Sequence, residues 1–295
     1  NGVTYANSTF VTVGDSGTIL TSSDGTSWDN RTSGTTRNLW DVIYGNSTFV
    51  AVGNSGTIRT STDNGTTWDN RTYSKSKNFK GLTFENSTFV TVGQSGYILT
   101  STDNGTTWEN KTSGTSNFLY GVTYGNSNFV AVGENGTVLT STDNGTTWSS
   151  KTSGTTETLY GVTYDNSIFV AEGDSGTILT SSDGTTWYNR TSGTSNGLYE
   201  VTYGNNIFVT VGPSGKILTS SDGTTWDSRT SGTSNLLYGV NAVTYGNNTF
   251  VTVGDSGTIL TSSDGTSWDN RTSGTTNLKG VNYGNSIFVV AGASG

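Results

Sequence analysis

Residues 121–156 read GVTYGNSNFVAVGENGTVLTSTDNGTTWSSKTSGTT, and this stretch decides the fold because the chain repeats it from end to end. Residues 9–36 recur without change as residues 249–276. One tryptophan marks each unit at intervals of 39 to 42 residues: Trp28, Trp68, Trp108, Trp148, Trp187, Trp226 and Trp268. Self-similarity with a period of about 40 residues is typical of propellers and other repeat architectures.

Each unit divides into four short segments that favour β-strands. In residues 121–156 these segments are VTY, FVAVG, TVLTS and TTWSSKT, and the turns between them contain Gly or Asn, which tolerate the positive φ of tight hairpins. The second segment is apolar on both faces, so we expect it to be buried between neighbouring units. This arrangement predicts an all-β fold, a β-propeller with four-stranded antiparallel blades.

The number of units leaves a remainder. Seven complete units occupy residues 1–276, and residues 277–295 supply only the first two strands of an eighth. We therefore expect one propeller domain with seven blades, whose extra half-unit packs outward or leads into another copy. The alternative is an eight-blade ring with an incomplete last blade, which would leave an exposed strand edge that proteins usually avoid.

Composition narrows the chemistry. The 295 residues include no His and no Cys, which excludes the usual general base near neutral pH, thiolate nucleophiles, disulfides and zinc–thiolate sites. The net charge of -8 argues against a nucleic-acid partner. No apolar run is long enough to span a bilayer. The chain begins at Asn1 with neither a Met nor a signal peptide, which favours a processed or partial form.

The turn before each tryptophan resembles the Asp-box, S-x-D-x-G-x-x-W, also called the BNR repeat. Residues 61–68, STDNGTTW, carry the full pattern, as do residues 101–108 and 141–148, and the other four copies lack the residue between Asp and Gly. Families with this box include sialidases, some glycoside hydrolases, sortilin-type receptors and photosystem assembly factors. In its repeated sequence pattern the chain is most similar to repeat arrays in bacterial surface and phage-tail-like proteins.

The resemblance implies a structural role for the aspartates of the box, because their carboxylates can hydrogen-bond the backbone of the turn. These residues are Asp24, Asp63, Asp103, Asp143, Asp183, Asp222 and Asp264. Calcium binding is the alternative, but each turn offers one carboxylate where calcium takes about 6–8 oxygen ligands. We expect neither a metal nor a cofactor.

Tests for catalysis point away from an enzyme. A sialidase would need an arginine cluster, but five arginines recur at one position of the repeat, three residues after the tryptophan, which indicates exposed ion pairs on an outer strand.

Glu172 replaces the valine of other units in a strand that we expect to be buried. A buried carboxyl has a raised pKa and could act as an acid. We favour a position in the central channel or toward solvent over catalysis.

A second break in the repeat is the loop of residues 73–77, which makes units 1 to 3 locally basic, whereas unit 5 is locally acidic. One interpretation is that these charges are random sequence variation on solvated loops. The alternative is that they are complementary sides of a contact between neighbouring copies, which would propagate as a fibre. The candidate interface residues are Arg59, Arg71, Tyr73, Lys75, Lys77, Lys80, Glu157, Asp165, Glu172 and Asp174.

Sequons of the type N-x-S/T provide candidate N-glycosylation sites. They are Asn7, Asn30, Asn46, Asn64, Asn70, Asn86, Asn104, Asn110, Asn135, Asn144, Asn189, Asn247 and Asn270. Chance alone would give about 10 of them in a chain so rich in Asn, Ser and Thr, so their number is uninformative. Most of them fall in predicted turns or on the outermost strand, where a glycan would not disturb packing.

Taken together, these features predict a non-catalytic, secreted or cell-surface glycoprotein that serves as a structural scaffold in an extracellular filament. Its partners would be other copies of itself and covalent N-glycans. Near-identity of the units motivates this hypothesis, because a single active site should differentiate the blades. The alternative is a carbohydrate- or protein-binding propeller, a lectin or adhesin, in which Trp40, Tyr124 and Tyr164 stack on sugars unless they belong to the core. A glycoside hydrolase is the third hypothesis.

Overall fold

The computed structural model describes residues 1–238, 242–272 and 274–293, and these form a ring of β-sheets. Seven sheets have four antiparallel strands each, in chain order. They confirm the predicted all-β propeller with seven four-stranded blades, which we number 1 to 7. The last sheet has two strands, within residues 278–292, and we call it the half-blade.

The strands occupy the same four places in successive blades. The first strands are β1 (Val3–Ala6), β5 (Leu39–Gly45), β9 (Phe79–Glu85), β13 (Leu119–Gly125), β17 (Leu159–Asp165), β21 (Glu200–Gly204), β25 (Val243–Gly246) and, in the half-blade, β29 (Leu278–Gly284). The second strands are β2 (Thr9–Val13), β6 (Thr48–Gly53), β10 (Thr88–Gly93), β14 (Asn128–Gly133), β18 (Ile168–Gly173), β22 (Ile207–Val211), β26 (Thr249–Val253) and β30 (Ile287–Gly292). The third strands are β3 (Ile19–Ser22), β7 (Ile58–Ser61), β11 (Ile98–Ser101), β15 (Val138–Ser141), β19 (Ile178–Ser181), β23 (Ile217–Ser220) and β27 (Ile259–Ser262). The fourth strands are β4 (Asp29–Arg31), β8 (Asp69–Asn70), β12 (Glu109–Lys111), β16 (Ser149–Lys151), β20 (Tyr188–Arg190), β24 (Asp227–Arg229) and β28 (Asp269–Asn270).

Helical backbone in the described residues is limited to 3-10 turns of three residues that follow second strands. These turns are Asp15–Gly17, Asn54–Gly56, Gln94–Gly96, Glu134–Gly136, Asp174–Gly176 and Asp255–Gly257. No helix in the described ranges is long and apolar enough to cross a membrane.

The half-blade is part of the ring, between blades 7 and 1, so the prediction that it packs outward or leads into another copy is wrong. First strands of neighbouring sheets contact each other, and β29 contacts β25 of blade 7 on one side and β1 of blade 1 on the other. Val289 of the half-blade packs with Val3 and Phe10 of blade 1, and its Val281 packs with Val251 of blade 7. Packing outward would leave those apolar faces in water, so burial draws the last two strands into the gap between the first and last full blades.

The core consists of apolar layers between adjacent blades. In the layer between blades 4 and 5, valines of blade 4 meet the larger side chains of blade 5. Its members are Val130, Val132, Val138, Leu159, Phe169, Ala171, Leu179 and Trp187. Second strands such as β6 and β10 are buried at every residue, as their apolar pattern predicted.

The Asp-box builds the turn between the third and fourth strands. In blade 4, Ser141 Oγ donates a hydrogen bond to Asp143 Oδ1 at 2.8 Å, and the Gly145 N–H donates to Ser141 Oγ at 2.8 Å. The Thr147 N–H donates to Asp143 Oδ1 at 2.8 Å. Trp148 Nε1 donates to Gly145 O at 3.1 Å, which sets the indole against the blade core. Hydrogen bonds from Thr147 and Ser141 hold the pKa of Asp143 below its ordinary value.

Replacing Asp143 with alanine should lower the free energy of unfolding by about 1 kcal/mol at pH 7, because the turn loses an acceptor for its backbone N–H groups. A depressed pKa in the folded state stabilises the protein above the ordinary Asp pKa of 3.8, and that stabilisation is lost as the pH falls through the folded pKa. Urea unfolding should therefore separate variant from wild type at pH 7 and bring them together in strong acid. The exposed variant Thr146→Ala is the control, and a difference that persists unchanged in acid would contradict the ionic part of this account.

Candidate functional site at the ring axis

One position of the repeat lines the central axis. It directly follows a leucine or phenylalanine near the start of the first strand, such as Leu159 or Phe79, and in blade 1 it is Asn1. The side chains at this position, which we call the axial ring, are Asn1, Trp40, Lys80, Tyr120, Tyr160, Tyr199, Tyr238 and Lys279. All of them except Tyr120 line one cavity of about 400 Å³, together with Leu236. Because they come from blades all around the ring, this cavity lies at the axis.

In several blades the 3-10 turn holds the axial side chain. Tyr160 Oη donates to the carboxylate of Asp174 and lies 3.0 Å from each oxygen. Trp40 Nε1 donates to Asn54 Oδ1 at 2.7 Å. Burial, followed by the hydrogen bond to Asp174, raises the pKa of the Tyr160 hydroxyl, so that this hydroxyl stays protonated. These turns therefore fix Trp40 and Tyr160 before any ligand arrives.

The axial ring combines an aromatic arc with ammonium groups. Ring centroids of Tyr120 and Tyr160 are 5.5 Å apart, and those of Tyr160 and Tyr199 are 5.3 Å apart. Lys80 Nζ lies 3.1 Å from the centroid of the Trp40 ring. Burial lowers the pKa of Lys80 to about 8, with a further lowering by Lys279, so the Lys80 ammonium remains mostly protonated at neutral pH. Aromatic faces and cations are thus presented together.

Two acidic side chains, Asp41 and Glu200, lie one layer further along the channel. Asp41 and Glu200 directly follow the axial residues of blades 2 and 6, where other blades have glycines such as Gly121 and Gly161. A second cavity of about 280 Å³ includes Asp41, Glu200 and Gly161 in its lining. Asp41 is buried, and its carboxylate accepts from the Val42 N–H at 2.8 Å. Within the described part of the chain, no group of three or more Asp or Glu side chains is arranged to hold a metal ion.

Glu172 lies in the channel wall between blades 5 and 6 and is 0% exposed, so it does not face solvent. Room for it comes from Gly161 on the paired strand, where an added Cβ would lie 2.0 Å from Glu172 Oε1. Neither carboxyl oxygen has a hydrogen-bond partner among the described residues. Burial raises the pKa of Glu172 to about 8, and burial together with Glu172 and Asp41 raises the pKa of Glu200 well above its ordinary value.

Burial also raises the pKa of Asp41 to about 7. At pH 7 Asp41 is therefore about half protonated and Glu172 is mostly protonated. Lys80 and Lys279 are the basic side chains of the axial ring. Glu172 lines neither axial cavity. Its carboxyl instead lies against Gly161, which lines the second cavity.

The basic residues that sequence analysis grouped as a candidate interface are dispersed. Arg59 is 3% exposed, and its guanidinium donates to Ser33 O of blade 1 at 2.6 Å. Arg71 pairs with Asp69 at 3.0 Å. Tyr73 and Lys77 both lie against Tyr97, with the two tyrosine centroids 6.2 Å apart and Lys77 Nζ 5.1 Å from the Tyr97 centroid. Lys75 is exposed, whereas Lys80 belongs to the axial ring.

The acidic residues of that group also form no continuous patch. Glu157 accepts from Ser175 Oγ, and Asp165 accepts from Thr163 Oγ1, each at 3.1 Å. Asp174 is occupied by Tyr160 of the axial ring, and Glu172 is buried in the channel wall. The charges were assigned to sides of the ring from blade number alone, but their radial positions separate surface residues from axial ones.

Several sequon asparagines are used in contacts between blades. Asn7 Nδ2 in the first turn of blade 1 donates to Asn64 Oδ1 in the Asp-box of blade 2 at 2.5 Å. Asn86 Nδ2 donates in the same way to Asn144 Oδ1 at 3.1 Å. A glycan on such an amide would crowd the contact between neighbouring blades.

The aromatics proposed for sugar stacking separate into two groups. Tyr124 and Tyr164 pack on the buried Phe129 and Phe169, with centroid distances of 4.8 and 4.5 Å. Both tyrosines therefore pack in the apolar layers between blades. Only Trp40 of the three belongs to the axial ring.

Comparison with known proteins identifies the family. Residues 20–291 match the family model described as photosynthesis system II assembly factor YCF48. A solved structure of YCF48 bound to D1 peptide is 19% identical, covers 87% of this chain and 89% of that chain, and superposes with a TM-score of 0.68. YCF48 from Cyanidioschyzon merolae is 18% identical over 87% of this chain and 93% of that chain, with a TM-score of 0.66. The computationally designed Ika8 protein is 14% identical over 99% and 92%, with a TM-score of 0.80. No curated protein sequence matches this chain.

These findings overturn the function predicted from the repeats. The family match contradicts a secreted or cell-surface glycoprotein scaffold and filament subunit, because the family is that of photosystem II assembly factors. The extracellular location and the predicted partners, other copies and N-glycans, are wrong for the same reason, and the lectin or adhesin alternative gains no support. Near-identity of the units was misleading because it reflects packing between blades, whereas the axial positions differ from blade to blade.

Proposed function

Because the chain belongs to the family of photosystem II assembly factors described as YCF48, we propose that it is a non-catalytic assembly factor that holds an extended segment of a client polypeptide at the axial ring. The relative of known structure that was solved with D1 peptide supports a peptide as the ligand. The finer likeness to bacterial surface and phage-tail-like arrays stays a hypothesis about related sequences.

The observation that carries this proposal is the variety at the axial position. On one side of it the repeat has Leu or Phe, and on the other side mostly Gly. Between them the chain places Trp, Lys and Tyr, and Trp40, Lys80 and Tyr160 are held by a 3-10 turn or by a neighbouring ring. A purely structural position in a repeat would be expected to be as uniform as its neighbours.

The chemistry of the axial ring suits a peptide. Aromatic faces can stack on apolar side chains and peptide groups, and large rigid rings lose little entropy on binding. Lys80 and Lys279 can pair with a carboxylate of the segment. The chain contains no His, and Asp41 and Glu200 line the second cavity and not the first, so the aromatic and ammonium groups around the first cavity favour binding.

Calorimetric titration with the D1 peptide tests this function. We expect one-to-one binding that weakens at high salt, and we expect Trp40→Ala and Lys80→Gln each to weaken binding by at least about tenfold. The control is Tyr188→Ala, because Tyr188 is 54% exposed on β20, far from the axis in the strand order of blade 5. Equal affinity of the Trp40 and Lys80 variants and the wild type would rule out the axial ring as the site.

A further inference from the structure

Three carboxyl groups break the repeat around the second cavity. Asp41 and Glu200 line this cavity and stand where other blades have glycine, such as Gly121. Glu172 stands where other blades have valine, such as Val132. Both Glu172 and Asp41 raise the pKa of Glu200, so the three groups act on one another across one part of the channel. Three departures from a uniform pattern therefore meet in one place.

Glu172 adds an unpaired carboxyl to the wall of this cavity. It is 0% exposed, and neither of its oxygens has a partner among the described residues. Its Oε1 occupies the place of the Cβ that Gly161 lacks. In blade 4 the corresponding Cβ position, on Gly121, lies 3.1 Å from Tyr160 O in the first strand of the next blade. The Glu172 carboxyl is therefore directed from blade 5 toward the first strand of blade 6, which carries Glu200.

No cation among the described residues pairs with these carboxyls. The described ion pairs lie in or next to fourth strands at the surface. Lys80 lines the second cavity, but its Nζ lies 3.1 Å from the centroid of the Trp40 ring. A paired carboxylate would raise the pKa of Lys80, whereas burial and Lys279 lower it to about 8. Because buried carboxylates are normally paired, a cation from outside would complete this group.

Tyrosine rings form much of the remaining wall. Tyr120, Tyr160 and Tyr199 line the second cavity, with the centroid distances given above. A cation is attracted to the face of such a ring at up to roughly 6 Å from its centroid. The cavity measures about 280 Å³, which suits one side chain. Tyr160 and Tyr199 also line the first cavity, so the two cavities share a wall.

We propose that the second cavity binds one guanidinium group, the side chain of an arginine in the client segment. The inference rests on the proposed function for the origin of that side chain, since the same segment lies at the axial ring. Carboxyl groups beside aromatic faces are the chemistry that recognises an organic cation. The shared wall allows the backbone of the segment to lie in the first cavity while one side chain extends into the second.

The geometry favours a guanidinium over other cations. The carboxyls come from blades 2, 5 and 6, so a ligand that meets them needs donors that point in several directions. A guanidinium has five N–H donors, stacks on aromatic rings and is weakly hydrated, whereas an ammonium is compact and strongly hydrated. A metal ion is disfavoured, because the described Asp and Glu side chains form no group of three or more arranged to hold one.

The experiment uses the full chain and two synthetic peptides, acetyl-GGRGG-amide and the same peptide with citrulline in place of arginine. Citrulline keeps the shape of the side chain and replaces the guanidinium with a neutral urea group. Titration followed by NMR at pH 7 should show at least about tenfold tighter binding of the arginine peptide, because the carboxyls recognise its charge. This comparison needs no variant of the protein, so a folding defect cannot hide the answer.

Variants locate the bound group. Glu200→Gln should weaken binding of the arginine peptide at least about fivefold, because it removes a carboxyl from the cavity. Lys80→Gln should tighten it at least about twofold, because it removes a like charge from the same wall. Glu109→Gln is the control and should have no effect, since the Glu109 side chain is 75% exposed on β12.

Three outcomes would overturn the proposal: no binding of the arginine peptide at millimolar concentration, equal binding of both peptides, or unchanged affinity in Glu200→Gln. Lys80→Gln separates this inference from the proposed function, because it should weaken binding of the D1 peptide and strengthen binding of the arginine peptide. Failure of the arginine peptide alone would refute the guanidinium site and leave the proposed function standing. Failure of the D1 peptide alone would refute the proposed function and support a guanidinium site without that client.

Discussion

Replacing Glu172 with valine is expected to raise the free energy of unfolding by about 3 kcal/mol at pH 7. Burial raises the pKa of Glu172 from its ordinary value of 4.5 to about 8. At pH 7 the unfolded chain ionises this carboxyl while the folded chain keeps it protonated, and about 2.5 pH units of difference at about 1.4 kcal/mol each give this penalty. Valine fits the site, since Val132 occupies the equivalent position opposite Gly121 in blade 4.

The gain should depend on pH with a definite sign. Because the folded pKa is raised, the folded protein binds more protons than the unfolded chain between about pH 4.5 and pH 8. Wild-type stability therefore falls as the pH rises through this window, and the advantage of Glu172→Val grows with pH and levels off above about pH 8. Urea unfolding at several pH values would measure both curves.

Two further variants complete this test. Glu109→Gln should change stability little, because the Glu109 side chain is 75% exposed and its ion pair with Lys111 lies at the surface. Glu200→Gly should leave the effect of Glu172→Val largely unchanged, because burial alone raises the pKa of Glu172. A constant difference between Glu172→Val and wild type from acid to neutral pH would show that ionisation of Glu172 is not the source of the penalty.

Much of the fold was predictable because the same pattern of strands and turns recurs in every unit of the repeat. A single unit displays two apolar faces in the second strand and turn residues at each hairpin, and the structure reproduces both in blade after blade. The position of the half-blade could not be predicted in the same way. It depends on how many blades close the ring, which is a sum of small packing rotations between sheets and is not written in any one unit.

The axial site was only partly visible in the sequence. Glu172 stood out because it breaks an otherwise apolar position, and the structure places it in the channel wall. The axial ring was missed, although one column of the repeat alternates among Trp, Lys and Tyr between a Leu or Phe column and a Gly column. Tyr124 and Trp40 looked equivalent as first-strand aromatics. Only the strand geometry shows that Tyr124 faces Phe129 between blades while Trp40 faces the axis.

Gly133→Ala should be among the most destabilising substitutions in the chain, with a loss of at least about 3 kcal/mol. Gly133 ends β14 with extended backbone, at φ -174°, so conformational freedom does not explain the glycine. The glycine is explained by lack of space, because an added Cβ would lie 2.0 Å from Phe118 O and 2.9 Å from Leu119 Cα, both backbone atoms. These atoms lie at the start of β13. The Glu134 N–H donates to Phe118 O at 2.9 Å, so they cannot withdraw without breaking that hydrogen bond.

An exposed position of the same blade is the control for this substitution. Ser150 lies on β16 and is exposed. Thermal and urea unfolding should therefore show a large loss of stability for Gly133→Ala and almost none for Ser150→Ala. Little loss for Gly133→Ala would mean that the start of the first strand can move, and the turns that position axial residues would then be less rigid than the carbonyl contact implies.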